Sequence, residues 1–308
     1  MINIKKEFNF MGVRRIAAIF SIVLILISIG SLAINGLKFG LDFTGGSLVE
    51  VTYEQPVELE VVRGHLRTGG YGDAVVQTFG SANDILIRLG EAHDPELGHK
   101  ILEILQQEAE EAVTLRRNEF VGSQVGEELR EQGGLGLLVA LIMVMIYLAF
   151  RFQFKFSVGA VLALAHDVII VLGFFSLMQI DFDLTVLAAL LAVIGYSLND
   201  TIVVYDRIRE NFRILRVSDS IEVLNTSLNQ TLSRTIVTSL TTMMVLVVLS
   251  LFGGEMIYGF AIALLAGVII GTYSSVYVAG NILLLLNVTR EDLIPPPPKE
   301  DEEEELVP

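Results

Sequence analysis

Six long apolar runs constrain this chain more than any other feature of its sequence. The runs cover residues 16–34, 135–150, 158–178, 184–204, 236–252 and 257–286. A helix that crosses the hydrocarbon core of a bilayer needs about 20 mostly apolar residues, and its backbone must satisfy its own hydrogen bonds there. The sequence therefore predicts a polytopic α-helical membrane protein with six transmembrane helices.

The first and last runs need separate interpretation. The first run is longer than the ~7–15-residue apolar core of a secretory signal peptide, so we interpret it as an uncleaved anchor. The last run is longer than one crossing requires, which indicates either tilt or an extension beyond the bilayer.

The distribution of basic residues orients the spans, because cytoplasmic loops carry an excess of Lys and Arg. The segment before span one and the loops after spans two and four are basic, whereas the other two short loops carry acids without Lys or Arg. The basic residues are Lys5, Lys6, Arg14, Arg15, Arg151, Lys155, Arg207, Arg209, Arg213 and Arg216. Both termini are therefore predicted on the cytoplasmic side, with residues 37–132 on the outer side.

Residues 37–132 have the pattern of one small α/β domain. Segments at 47–53, 74–79, 85–89 and 113–121 predict strands, and segments at 57–66 and 95–112 predict helices. Turn-prone residues at 80–84 join the second and third strands, and a short link at 122–132 leads into span two. The order β-α-β-β-α-β is that of a ferredoxin-like α+β domain.

These patterns divide the chain into five parts. Residues 1–15 form a cytoplasmic N-terminus, 16–36 form transmembrane helix one, and 37–132 form the inserted domain. Residues 133–290 form a five-helix transmembrane bundle with a cytoplasmic loop at 205–233. Residues 291–308 combine a Pro run with an acidic run and are predicted to be a disordered cytoplasmic tail.

Charge and composition exclude several classes of function. The net charge is −15, yet no basic face accompanies a nucleic-acid-binding module. The chain has no Cys, and its Gly pairs are not followed by Gly-Lys-Ser/Thr, so we expect neither thiolate metal sites nor nucleotide binding. His65, His93 and His99 lack the spacing of metal ligands and are interpreted as surface residues. We expect no cofactor and no bound metal.

Ionisable residues inside the spans point to function, because they are costly to bury in a membrane. Span three carries His166 and Asp167, span four carries Asn199 and Asp200, and span five opens with Arg234. We expect Asp200 and Arg234 on adjacent antiparallel helices, where pairing would offset the cost of burying either charge. Polar residues that could line the same region are Tyr196, Thr201, Thr235 and Thr238.

A proton relay and an inert contact between helices both fit these residues. Desolvation disfavours the charged form of a carboxyl, whereas a nearby Arg favours it. A carboxyl under both influences can gain and lose protons. Intramembrane Ser, Thr and Asn often only hold a bundle together, and this alternative stays open for the Thr series of span five. His166 and Asp167 point about 100° apart on a helix, so we do not expect them to face the same partner.

Several motifs resemble the bacterial SecD/SecF family. Residues 40–46, Gly-Leu-Asp-Phe-Thr-Gly-Gly, resemble the signature that follows span one, with Asp42, Gly45 and Gly46 as its key residues. Residues 195–201 and 205–211 are similar to the span-four region of the family, and residues 232–235 to its entry into span five. The pair at 166–167 also fits, and the match covers nearly all of residues 11–289.

The resemblance implies a subunit of the Sec preprotein translocase accessory complex in the bacterial inner membrane, with residues 37–132 periplasmic. It implies SecD as partner and the SecYEG translocon beside it, with YajC, YidC and membrane lipids as further contacts and unfolded preproteins as cargo. It also implies kinship with the RND superfamily, in which six spans and the loop after the first form one half. In the family, inward proton movement drives motions of the outer domains, and no enzyme activity is implied.

The proton-path Asp and Arg of the family match Asp200 and Arg234, and we assign His166, Asp167 and Asn199 to the same path. Two other functions stay open. The chain could be half of a proton-coupled RND small-molecule exporter, although residues 37–132 are few for a drug-binding domain. It could also be a non-conducting assembly scaffold whose charges only pair structurally.

Overall fold

Among the residues that the structure describes, six helices that are long and apolar enough to cross a membrane carry the predicted runs. The structure, a computed structural model, describes residues 8–90, 94, 96–109, 112–215 and 219–293. In chain order the helices are α1 (Arg14–Asn35), α2 (Leu41–Thr44), α3 (Leu59–Thr68), α4 (Leu97–Glu108), α5 (Ser123–Arg151), α6 (Phe154–Met178), α7 (Leu184–Ile214), α8 (Ser220–Phe252), α9 (Glu255–Tyr273) and α10 (Ala279–Leu285). The spans are α1, α5, α6, α7 and α8, with α9 and α10 together forming the sixth.

Spans three and four form the centre of the bundle. In the most apolar stretch of α6, 61% of the residues are buried, compared with 6% for α5 and 17% for α8. The buried core includes Phe156, Ala160, Leu190, Val204 and Tyr205. The peripheral helices α5 and α8 therefore present most of their apolar side chains to lipid or to another protein.

The sixth span contains a π-helical turn that the sequence did not predict. This turn, Ser274–Val278, lies between α9 and α10 and contains the fully buried residues Ser274 and Ser275. Single π-helical turns inside membrane or soluble helices are frequent at functional sites. The turn lies directly beside Tyr273, whose hydroxyl group contacts Ser21 of span one.

The segment between α1 and α5 has the ferredoxin-like topology that the pattern predicted. Its strands are β1 (Gly46–Tyr53), β2 (Val75–Phe79), β3 (Ser81–Leu89) and β4 (Val113–Val121), in an antiparallel sheet of order β2-β3-β1-β4. The helices α3 and α4 cover one face, where Val62 and Ile101 pack with Val49 and Ile87. The predicted fold class, a six-span membrane protein with an inserted α+β domain, is confirmed.

Several boundaries differ from the prediction. The proposed link at 122–132 is the start of α5, and most of the proposed loop at 205–233 belongs to α7 and α8. The ends of a helix are set by capping residues and not by the point where hydropathy changes. α8 begins after Asp219, whose carboxylate accepts a hydrogen bond from the N–H of Ile221. β3 begins at Ser81, so the hairpin turns more tightly than 80–84, and α4 is shorter than predicted at both ends.

The two ends of the described chain are bound to the bundle at the end where α7 and α8 meet. The N–H of Phe8 donates to Asn229 Oδ1 at 2.9 Å, and Lys155 Nζ donates to Asp292 Oδ2 at 2.8 Å. Expectations for residues 1–7, His93, Arg216 and the tail at 294–308 concern positions outside the described residues.

Gly46→Ala is expected to destabilise the inserted domain. Gly46 has φ +116°, and an added Cβ would lie 2.5 Å from the carbonyl oxygen of Leu89. Backbone strain and this clash together cost about 2 kcal/mol or more. Gly64→Ala is the matched control, since its Cβ meets nothing within 4 Å and Ala is favoured over Gly in a helix by roughly 0.5–1 kcal/mol. Hydrogen exchange of the β1 and β3 amides in the purified chain measures the stability of the inserted domain in each variant. Equal protection in Gly46→Ala and Gly64→Ala would contradict the expectation.

Candidate functional site

Asp200 lies inside the bundle on α7 with a buried oxygen that has no partner. The residue is 3% exposed, and within the described ranges its Oδ2 accepts no hydrogen bond. Buried carboxylates are normally paired or hydrogen-bonded, because an uncompensated charge in a low dielectric is costly. An intramembrane carboxyl left in this state is a candidate for a functional role.

Arg234 lies on the neighbouring helix α8, and its side chain is exposed on the surface of the chain. Its charge acts on Asp200, but no ion pair joins the two among the residues that the structure describes. Because Asp200 is buried whereas Arg234 is exposed, the direct contact expected from the sequence is not made within the single chain. An exposed Arg within a membrane span calls for water or for a partner outside the chain.

His166 and Asp167, near the middle of α6, form a buried group with one residue of α7. His166 Nδ1 lies 2.8 Å from Asp167 Oδ1, and Ser197 Oγ donates to Asp167 Oδ2 at 2.5 Å. The Asp167 side chain reaches back to His166 with one oxygen and to Ser197 of α7 with the other, a contact between the two neighbours that the sequence analysis did not predict. His166 Nε2 is buried and unbonded in the described part of the chain. Ser197 precedes Asp200 by three residues, so this group lies one helical turn from Asp200.

A second set of hydroxyl groups comes from four spans, and of its members the sequence analysis named Tyr196 alone. Tyr196 OH donates to Ser239 Oγ at 3.3 Å, and Ser239 Oγ lies 2.7 Å from Thr272 Oγ1 of span six. The next residue, Tyr273, places its OH 2.9 Å from Ser21 Oγ of span one. The sequence offered only a weak signal for these residues, namely polar side chains within apolar runs.

The Thr series on α8 bonds mainly to its own helix. Thr238 Oγ1 donates to the carbonyl oxygens of Arg234 and Thr235, each at 3.0 Å, as hydroxyls in membrane helices often do. Thr235 and Thr201 are buried, whereas Asn199 is exposed on α7. The series therefore does not join the buried His-Asp-Ser group.

The signature loop at 40–46 lies at the start of α7, away from the buried His-Asp-Ser group. Asp42 Oδ2 accepts a hydrogen bond of 3.0 Å from the N–H of Leu184, the first residue of α7. Gly45 and Gly46 have φ of +70° and +116°, in the region that favours glycine. Asp200 follows Leu184 by 16 residues, about 24 Å along a helix. The loop and the buried polar group therefore share a helix without sharing a site.

One face of α7 is open in the single chain. Exposed small or polar residues recur there at steps of three and four, at positions Thr185, Ala188, Ala192, Gly195 and Asn199. Small residues at this spacing allow another membrane helix to approach closely. The helix that carries Asp200 thus has room for a further helix along its length.

Two family descriptions match most of the chain. Residues 101–289 match "Protein export membrane protein SecD/SecF, C-terminal" and residues 30–57 match "SecD/SecF GG Motif". The first match contains Asp200 and Arg234, and the second contains the signature loop.

Named relatives and solved structures agree with this assignment. "Protein translocase subunit SecF" of Pseudomonas aeruginosa is 55% identical over 288 residues, covering 93% of this chain and 94% of the relative, and the Vibrio alginolyticus protein is 49% identical over 294 residues, covering 94% and 93%. The crystal structure of SecDF, a translocon-associated membrane protein from Thermus thermophilus, is similar with a TM-score of 0.84 and 38% identity. That match covers 93% of this chain but only 40% of the solved chain. SecDF in a super-membrane-facing form matches the same share with a TM-score of 0.71 and 38% identity. The chain belongs to the SecF family of protein translocase subunits.

Proposed function

We propose that this chain is one half of a proton-driven accessory unit of the Sec translocase, which promotes export of unfolded preproteins across the bacterial inner membrane. Membership of the SecF family supports the process. The single observation that carries the proton-driven part is Asp200, an intramembrane carboxylate whose Oδ2 has no hydrogen bond among the described residues. In this proposal the chain is a transport component rather than an enzyme.

Asp200 is the proposed proton carrier and Arg234 its charge partner. The Arg charge favours ionised Asp200, and protonation removes the desolvation cost of that charge, so both states are accessible. One charge crossing 100 mV is worth about 2.3 kcal/mol, which biases a two-state equilibrium by more than about tenfold. His166 and Asp167 form an auxiliary polar layer one turn away. Further proposed lining residues are Tyr196, Asn199, Thr201, Thr235 and Thr238.

A second membrane half is the proposed partner for the open face of α7. The solved SecDF chain is longer than this one, which spans 40% of its length, and we propose that a separate SecD supplies the remaining helices here. That arrangement would place SecD beside the exposed side chain of Arg234. We further propose SecYEG as the neighbouring channel, whereas YajC, YidC and lipid contacts rest on family resemblance alone.

The proposed orientation, with residues 37–132 periplasmic and both termini cytoplasmic, predicts a labelling pattern. Because the chain has no Cys, single Cys residues can be introduced without background. Thr114→Cys in the inserted domain and Arg213→Cys near the end of α7 replace exposed residues. An impermeant maleimide added to spheroplasts is expected to label the first variant, and the second only after permeabilisation. The reverse pattern would contradict the orientation.

Asp200→Asn is expected to abolish proton-dependent export, because Asn matches Asp in size and cannot exchange a proton. Export of a reporter preprotein and proton flux through the reconstituted complex with SecD should both fall at least about tenfold. The control is Asp73→Asn, which removes an exposed carboxylate from the inserted domain. Its export and proton flux should stay within about twofold of those of the unaltered chain. Full export by a normally assembled Asp200→Asn complex would rule out the carrier role.

Arg234→Ala separates transport from assembly. With its charge gone, ionised Asp200 loses its partner, so we expect export to fall while SecD still co-purifies with the chain. Arg234→Lys keeps the charge and is the matched control, expected to retain part of the export activity. Loss of SecD association in Arg234→Ala, with export failing only for that reason, would favour the scaffold alternative.

A further inference from the structure

The outer end of α7 is held by a residue from a distant part of the chain. Two carboxylates accept the free N–H groups of its first turn: Asp183 Oδ1 accepts from Val186 at 2.8 Å, and Asp42 Oδ2 accepts from Leu184 at 3.0 Å. Carboxylates at a helix N-terminus are favoured by hydrogen bonding and by the helix dipole. The aspartate of the signature loop is thus a cap for a helix more than a hundred residues away in sequence.

Main-chain bonds hold the same two segments together. The N–H of Gly40 donates to the carbonyl oxygen of Phe182 at 2.8 Å, and the N–H of Phe182 donates to the carbonyl oxygen of Lys38 at 2.7 Å. A Cβ on Gly40 would lie 2.9 Å from the Cβ of Asp183. The segment that leaves span one therefore runs directly against the residues that start α7.

The other end of the signature loop is fitted just as closely to the inserted domain and to α5. A Cβ on Gly46 would lie 2.5 Å from the carbonyl oxygen of Leu89 at the end of β3, and a Cβ on Gly126 of α5 would lie 2.9 Å from the N of Gly45. At these distances the loop cannot slide past its neighbours without displacing backbone. The Gly40 end of the loop thus lies against the residues that start α7, and the Gly45–Gly46 end lies against α5 and β3.

An ion cluster spans the same junction. Asp181, in the connection between α6 and α7, pairs with Lys38 at 2.9 Å and with Arg88 of β3. The side chains of Asp181 and Arg88 are 23% and 22% exposed, so this pair is partly shielded from solvent. β3 is a central strand of the sheet, so the cluster connects the body of the inserted domain to the outer end of α7.

We infer that the signature loop couples α7 to the inserted domain, with Asp42 as the positioning residue that makes the outer end of α7 move with the domain. The inference rests on the proposed function, because it takes Asp200 as the site where protonation acts. α7 is one continuous helix from Leu184 to Ile214, so a tilt or shift at Asp200 reaches the loop through a stiff rod. The hydrogen bond of Asp42, the main-chain pairing and the Asp181 cluster then carry that movement into the sheet.

Asp42→Ala in the complex with SecD tests the coupling, since it removes the cap without touching the intramembrane polar group. We expect reporter export to fall about tenfold while proton flux through the reconstituted complex stays within about twofold. Asp42→Asn is the matched control, because its amide oxygen still accepts from Leu184, and it should restore export to within about twofold of the unaltered chain. Wild-type export in Asp42→Ala, parallel loss of flux and export, or equal defects in both variants would overturn the inference.

Arg88→Met gives a second test that does not depend on the cap. The substitution removes the ion pair between Arg88 and Asp181 and leaves the pair between Lys38 and Asp181. We therefore expect reporter export to fall, by less than in Asp42→Ala, while proton flux is again retained. If Asp42→Ala lowers the amount of folded chain, Arg88→Met decides alone, and wild-type export in that variant overturns the coupling. Failure of the proposed function is distinguishable, because it appears as retained flux and export in Asp200→Asn.

Discussion

The cost of placing a carboxylate in a low-dielectric helix bundle is the constraint on which the rest of this structure depends. Three aspartates of the chain meet that cost in different ways. Asp167 is fully buried and has both oxygens bonded, by His166 and Ser197. Asp181, in the connection between α6 and α7, is balanced by two cations. Asp200 has a buried oxygen without a hydrogen bond in the described residues. Asp181 Oδ1 also has no hydrogen bond, but it is ion-paired with Lys38. Of these three aspartates, Asp200 is the one with a buried oxygen that has neither a hydrogen bond nor an ion pair among the described residues.

α7 brings the candidate functional features of the chain together. Its first turn is capped by the signature loop, its middle carries Ser197 and Asp200, and one of its faces is open to a further helix. Packing around it explains the position of the inserted domain, because the loop at 40–46 is wedged between this helix, α5 and β3. A change of charge on Asp200 thus acts on a helix that already contacts the domain.

Run length and alternation were enough to predict the six spans and the ferredoxin-like order of the inserted domain. Helix boundaries were not predictable in the same way, because α5, α7 and α8 continue through charged residues that a bilayer-based pattern assigns to loops. Asp200 and Arg234 could be named as candidates from the sequence alone, because charged residues are costly to place inside a membrane. The His166–Asp167 contact, the bond between Ser239 and Thr272 and the π-helical turn depend on rotamers and on how helices pack, which sequence periodicity does not encode.

The proposed protonation of Asp200 within the membrane can be tested directly by infrared difference spectroscopy. The complex with SecD would be titrated with pH while the carbonyl stretch of protonated carboxyl groups is followed. We expect a carbonyl band that appears as pH falls through the range in which protons drive export, and that is missing from the same titration of Asp200→Asn. A spectrum in which no such band depends on Asp200 across that range would contradict its role as the proton carrier.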